Sequence, residues 1–354
     1  MDDELTPVIA SLVRDRWPGA RLGDVAHLAG DFSARRYFRA TLEGRGAPPT
    51  MVVMVLAGSG LPLSSEELGV FPEPLTELPF VDVHRLLTAI GASVPEIYVA
   101  AVDRGLLLLE DAGDTVLWDA AMAAPAEAEA RYRVALDALL VLHERGTAYR
   151  PATSIAFKQG LDERLLQWEL DHFIEWGVER RMGTTLSAAA RRGYQESFDV
   201  LIRELAAADT VLCHRDYHSW NILWRDDRPV IIDFQDAFLA PAEYDLASLL
   251  TDRITPRLVD PAMEARLLDH YWTARGRAYE RRRYALIALH RALKVVGRLH
   301  YIALAKNKPG PLAFLPDVLA TTRRFLAEAD LPGGLADELA AHWPPDGAGG
   351  ATGR

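Results

Sequence analysis

Residues 213–221 read CHRDYHSWN, and residues 230–237 read VIIDFQDA. The first stretch crowds two histidines, an arginine, an aspartate and an asparagine into one short loop. The second ends an apolar run on an aspartate, Asp233, twelve residues beyond Asn221. Two short strand-like pieces, VLCHRD and NILWRDDRPVIIDFQDA, carry this pattern. A plain solvated loop has no need of so dense a polar set.

The surrounding composition is that of an ordinary soluble enzyme. The chain has 354 residues, 49% hydrophobic and 25% charged, long enough for two lobes. One cysteine, Cys213, rules out an intrachain disulfide and a cysteine-built metal site; it is expected to be a small buried residue. The net charge of −11 argues against nucleic-acid partners, which call for a basic face. The start, MDDELTPVIASLVRDRW, lacks the basic-then-apolar layout of a signal peptide. No uncharged apolar run reaches the ~18 residues of a membrane helix, so a cytoplasmic address without membrane partners is expected. Arginine is abundant and lysine rare, with Lys158 the first lysine.

Element signals divide the chain unequally. Residues 4–17 suggest a helix, and 21–57 three strands separated by turns. The stretch 58–80, rich in Pro, Gly and Glu, suggests a loop. FVDVHRLLTAIG, 80–91, has helical apolar spacing and ends at a glycine. A strand pair turning at Asp103–Gly105 follows, with Leu106–Leu109 as a buried strand. Beyond that the signals are mostly helical: 125–146, 162–183, 187–208, a helix opening at YDLASLL, and most of the chain to about 331. The boundaries expected are 1–113, 114–335 and a disordered tail, 336–354. The class is α+β, with a small antiparallel-sheet N-lobe and a larger, mostly helical C-lobe.

His214-Arg215-Asp216 with Asn221, followed by Ile232-Asp233-Phe234, resembles the catalytic loop and metal-binding segment of the protein-kinase-like phosphotransferases. The resemblance makes Asp216 the carboxylate that orients the acceptor hydroxyl and takes its proton. It makes Asn221 and Asp233 hard-oxygen ligands for Mg²⁺, with ATP as phosphoryl donor. It gives His214 a loop-holding role. His218, two residues past Asp216, is placed to touch substrate or phosphate, or else simply to lie exposed. An aspartate at the position of Asp245 braces the loop backbone in such folds. Gln235 and Asp236 are assigned to closing the turn.

The same resemblance organises the first lobe. AGDFSARRYFRA, 29–40, stands where a loop folds over the phosphates, with Ser33 and backbone N–H groups as anion contacts. The third strand, TMVVMVLA, offers no lysine for ATP. Arginine must supply the cation, with Arg36 and Arg39 nearest and Arg35 behind. Glu77 is a candidate pairing carboxylate. LLLLEDAGD is similar to the connector between lobes, its backbone from Glu110 to Ala112 meeting the adenine edge.

More narrowly, the blocks FSARRYFR, LPFVDVHRLL, WELDHFIEWGVERRMG and HRALKVVGRLHYIALAKNKPG identify the chain as similar to the aminoglycoside phosphotransferase-like superfamily. Within it, the chain looks like the bacterial anomeric kinases of N-acetylmuramate and N-acetylglucosamine. That resemblance implies transfer of the γ-phosphoryl group to the anomeric hydroxyl of an amino sugar. Glu169 and Trp176 then stand as a sugar wall, against the plainer reading of the tryptophans as core. Alternatives on the same fold are aminoglycoside, choline-like or homoserine-like phosphorylation, or a pseudokinase that binds nucleotide without turnover. The chain departs from the subfamily at VLAGSGLP and ALAKNKPG.

Overall fold

The structure, a computed structural model, describes residues 5–28, 35–56, 75 and 77–343. Strands β1 (Arg21–Leu28), β2 (Arg36–Glu43), β3 (Thr50–Val55), β4 (Ile97–Ala101) and β5 (Leu106–Glu110) form one antiparallel sheet in the order β1-β2-β3-β5-β4. Side chains alternate across its two faces. Phe38, Ala40, Met51, Val53, Leu106 and Leu108 pack on helix α1 (Leu5–Arg16) through Ile9, Leu12 and Val13. The opposite face, with Tyr37, Val52, Met54, Leu107 and Leu109, joins the core of the second lobe.

Helix α2 (Pro79–Ala89) begins with proline in its first turn, where the missing N–H has no intrahelical partner to lose. It ties the lobes together. Its buried Asp82 accepts from Ser154 Oγ and Ile155 N, each at 2.8 Å. Phe80 packs on Phe234, centroids 4.8 Å apart.

The second lobe is built from α3 (Leu117–Ala123), α4 (Ala128–Val141), the one-turn α5 (Thr147–Tyr149), α6 (Glu163–His172), α7 (Ala188–Ala206), α8 (Glu243–Thr251), α9 (Pro261–Arg275), α10 (Arg281–Ala305), α11 (Leu315–Ala329) and α12 (Leu335–His342). Local signals match several ends. Asp162 caps α6 by accepting from Leu165 N at 2.8 Å. Asp260 caps α9 through Met263 N at 2.7 Å, and Gly276 closes that helix in the left-handed region. Four short strands embed the polar motif: β6 (Val211–Cys213) pairs with β9 (Phe238–Ala240), and β7 (Ile222–Arg225) with β8 (Arg228–Ile231).

Three expectations are revised. Residues 162–183 are not one α-helix: at Phe173 the helix widens into a π segment, Phe173–Arg180. There the backbone meets α10 most closely, since a Cβ on Gly297 would lie 2.8 Å from Phe173 Cα. The motif also rests on four strands rather than two, because β9 is too short to signal itself and exists through its pairing with β6. Finally, the expected tail from 336 starts too early. Leu335, Leu339 and Trp343 recur at helical spacing and are buried, and Arg181 stacks 3.7 Å from the Trp343 ring centroid. Residues from 344 onward lie outside the described set.

Gly297→Ala tests the α10 contact. Added volume against fixed backbone costs about 1–3 kcal/mol, which outweighs the ~1 kcal/mol helix-propensity gain. The denaturation midpoint is expected to fall; a rise would show that the helices have room to part.

Candidate active site

The loop after β6 is held by its backbone. Asp245, in the first turn of α8, accepts from His214 N at 2.6 Å and from Arg215 N at 2.9 Å. Its Oδ2 also meets His143 Nε2 at 3.1 Å, and His143 Nδ1 meets Tyr271 OH at 2.6 Å. All four residues of this Tyr271–His143–Asp245–His214 chain are buried. His214 ties the loop to the next segment through Nε2 and Ile232 O, 2.9 Å apart. Arg215 (φ 82°) and Asp233 (φ 60°) both lie in the left-handed region, where non-glycine residues are strained. The bracing bonds keep them there.

These constraints bring Asp216, Asn221 and Asp233 to one place. Asn221 Nδ2 donates to Asp216 O at 3.0 Å and approaches Asp233 Oδ2 at 3.5 Å. That engages the amide nitrogen and leaves Asn221 Oδ1 as the outward donor atom. Asp233 is exposed, and Gln235 Nε2 donates to its Oδ1 at 3.0 Å. Gln235 therefore fixes the carboxylate as well as closing the turn. Phe234 is pinned on Phe80 from α2, so the first lobe touches the segment that presents Asp233. An amide oxygen and an exposed carboxylate, prepositioned together, suit a hard divalent cation.

Below Asp216 lies a cluster of charges. Lys294 Nζ is 2.5 Å from Glu169 Oε1, and Arg215 Nη2 is 3.7 Å from the same oxygen. Arg291 donates to Arg215 O at 3.0 Å and to Ser248 Oγ at 2.9 Å. Burial alone would push the Asp216 carboxyl up. The positive charges of Lys294, Arg215 and Arg291, with His218, outweigh it and hold the group well below the ordinary carboxylate range. Asp216 is thus ionised at any working pH, able to align a hydroxyl.

The other expected residues fall variously. His218 is half-buried, its Nε2 3.4 Å from Asn221 Nδ2, and burial lowers its pKa. Glu169 is buried in the ion cluster and does not face an open sugar wall; a carboxylate so enclosed needs its cations. Trp176 is half-buried and packs edge-on against Tyr301, centroids 5.0 Å apart. It sits in an aromatic group with Trp168 and His172 at the lobe surface. Ser33 lies outside the described residues. Arg36 is exposed, its guanidinium 5.9 Å from the Phe38 ring centroid.

Arg39 has another use than the one expected. Its Nε and Nη2 donate to Asp111 at 2.7 and 2.9 Å, and Nη1 and Nη2 to Asp114 at 2.7 and 2.8 Å. It clasps the connector between lobes rather than pointing at a phosphate. Glu77 pairs with Arg85 at 2.7 Å, not with a β2 arginine. Glu110 N donates to Glu96 O at 2.8 Å, and the Glu110 carboxylate pairs with Arg225 at 2.8 Å. What the connector can still offer an adenine edge is the Glu110 carbonyl and the backbone of buried Ala112. Missed from sequence were Lys294 and Arg291, which lie on a long helix with no local motif, and His143, which sits in a π turn, Leu142–Gly146. Tyr37 was also missed; Asp233 is near enough to add to the rise of its pKa, which burial chiefly causes.

The phosphotransferase enzyme family matches residues 24–287. The chain belongs to that family. It is 30% identical over 330 residues to an N-acetylmuramate/N-acetylglucosamine kinase of Pseudomonas putida, covering 90% of this chain and 88% of the relative. A Caulobacter vibrioides protein of the same name is 34% identical over 251 residues, 67% of each chain. The fold is similar to choline kinase LicA from Streptococcus pneumoniae, TM-score 0.58 at 15% identity, covering 92% of this chain and 99% of that one. It is equally similar to aminoglycoside phosphotransferase APH(2'')-Ib in its ADP-bound form, TM-score 0.58 at 12% identity, covering 93% and 99%. Both share the sheet-plus-helical two-lobed, protein-kinase-like architecture. Among the described residues, no helix is long and apolar enough to cross a membrane.

The charge cluster makes a pH prediction. Removing one cation from beside Asp216 raises its pKa. In the unaltered enzyme the acid limb of kcat therefore owes nothing to Asp216 near neutrality. In Lys294→Met the acid limb is expected to move to higher pH, read from kcat over pH 4–8. An unshifted profile in an active variant would show that Lys294 does not tune Asp216.

Proposed function

We propose that the enzyme transfers the γ-phosphoryl group of ATP to the anomeric hydroxyl of N-acetylmuramate and N-acetylglucosamine. The convergence of Asp216, Asn221 and Asp233 on one spot carries the phosphotransfer half of the proposal. The names of the relatives at 28–34% identity over most of the chain support the acceptor half.

Asn221 Oδ1 and Asp233 would hold Mg²⁺, which when bound neutralises the crowded phosphate oxygens. Asp216, ionised and half-buried, aligns the sugar hydroxyl and receives its proton as the bond to phosphorus forms. Its low pKa makes it a weak base. Its main work is therefore orientation, with proton transfer late, as suits a loose phosphoryl-transfer transition state. The Glu110 carbonyl and Ala112 N–H bind the adenine edge, and the clasp of Arg39 on Asp111 and Asp114 fixes that connector. Arg35, Arg36 and the Ser33 loop remain the cations and donors for the phosphates. Trp176 and His218 stand on the acceptor side. An intact set of three oxygen donors favours catalysis over pure nucleotide binding, because a binder needs no Asp216.

An acceptor panel with ATP and Mg²⁺, the phosphate position read by NMR, tests the whole proposal. Phosphorylation at C1 of the two amino sugars is expected. Robust turnover of choline, homoserine or an aminoglycoside with none of the sugars would replace it. Asp216→Asn is expected to lower kcat by about 10³-fold or more while ATP still binds; near-normal turnover would remove Asp216 from the mechanism.

Asp233→Asn is expected to raise the Mg²⁺ concentration for half-maximal rate at least tenfold, measured by magnesium titration at saturating ATP. An unchanged requirement would move the metal elsewhere.

A further inference from the structure

Beside the catalytic loop, α8, α10 and α11 enclose a small pocket that the phosphotransfer chemistry does not use. Its walls include Thr251, Asp252, Arg253, Arg291, Val318 and Thr321. Its enclosed space is only about 10 Å³, room for about one water, so a ligand would meet it at its mouth. Only a terminal group of a larger acceptor can rest there.

Arg253 dominates the pocket. Its guanidinium lies 5.5 Å from the Trp220 ring centroid and 5.8 Å from that of Phe314. Trp220 itself stacks on Trp118 at 5.2 Å, so the aromatic support is rigid. Held by rings, a guanidinium keeps its planar donor edge for an anion. Arg253 Nε lies 3.3 Å from Asp252 Oδ2, and the Arg253 side chain keeps 30% of its surface exposed while that of Asp252 is buried. Arg253 also sits at φ 45°, an unfavourable conformation for a long side chain and a pointer to function. Arg291 adds a second, buried positive charge, committed to Arg215 O and Ser248.

The pocket adjoins the loop that carries Asp216, since Arg291 in its wall donates to Arg215 O at 3.0 Å. Trp220 immediately precedes Asn221. Asp252 and Arg253 are both close enough to act on the charge of His218, two residues from Asp216. N-acetylmuramate differs from N-acetylglucosamine by a lactyl ether that ends in a carboxylate. Resting on the acceptor class argued above, we infer that Arg253 is a specificity residue whose Nη edge receives the carboxylate of the acidic amino sugar. A neutral sugar leaves this contact unmade.

The test compares kcat/KM for N-acetylmuramate, its methyl ester and N-acetylglucosamine at one ATP concentration. Wild type, Arg253→Gln and Arg253→Lys are measured. A charge-assisted contact corresponds to about 10- to 100-fold. Wild type is expected to prefer the acid over its ester by that factor, chiefly through KM. Arg253→Gln is expected to bring the two within about twofold of each other. Arg253→Lys, a point charge without the fork, is expected to fall between. A wild type indifferent to esterification overturns the carboxylate contact without reference to any variant. An acid-to-ester preference that persists in Arg253→Gln moves the contact to another residue and overturns the role of Arg253. Failure of wild type to phosphorylate any of the sugars overturns the acceptor class, and this inference with it.

Discussion

The Asp245 carboxylate is the constraint on which the site depends. Three consecutive residues, His214 to Asp216, turn sharply after β6. Such a turn leaves backbone N–H groups without strand partners, and Arg215 is forced into the left-handed region. Asp245 answers both N–H groups with its two oxygens. An ionised acceptor gives stronger hydrogen bonds than a neutral one. His143, from the π turn after α4, holds that carboxylate in turn and is itself held by Tyr271 of α9. The loop that carries Asp216 is thereby bound at two backbone N–H groups to the helical core beneath it.

Rigidity alone would bury an anion at unbearable desolvation energy. The structure balances it. Asp216, Glu169 and Asp245 lie among Lys294, Arg215 and Arg291, three carboxylates against three cations. His290 also touches Glu169, at 3.3 Å, but burial lowers its pKa to about 4. It therefore adds no fourth charge near neutral pH. Buried ion clusters seldom stabilise a fold in net terms. Here the cluster has a different effect: it keeps Asp216 ionised in a place where burial would otherwise protonate it.

How much of this was legible in the sequence follows from which interactions are local. Asp216, Asn221 and Asp233 could be found because their spacing is fixed by a tight loop and a two-strand hairpin. The sheet was legible because β2, β3 and β5 alternate or run apolar. Glu169 could be seen only as a polar residue near tryptophans. Its burial depends on Lys294, more than a hundred residues away, and no periodicity reports that. The same holds for Arg39: its aspartate partners are separated from it by three strands and a helix. Trp343 was lost to the tail because eight residues of weak amphipathicity look like a frayed end until Arg181 is placed over the ring.

The absence of a lysine on β3 has a structural counterpart. The positions of β3 that face the cleft are Val52 and Met54, packed with Leu107 and Leu109. In register, Val52 stands opposite Arg39. The cation thus comes from β2, and its fork is planar and divergent, so one guanidinium reaches both Asp111 and Asp114 across Ala112. A lysine, a point charge on a flexible stem, could not make those four directed bonds. The arginine ties the sheet to the connector, which runs on into the helical lobe at Thr115, where Trp224 N donates to Thr115 O at 2.7 Å. Lobe geometry and catalytic-loop geometry are in this way set by the same kind of bond, a buried or half-buried carboxylate holding backbone or guanidinium donors at two points.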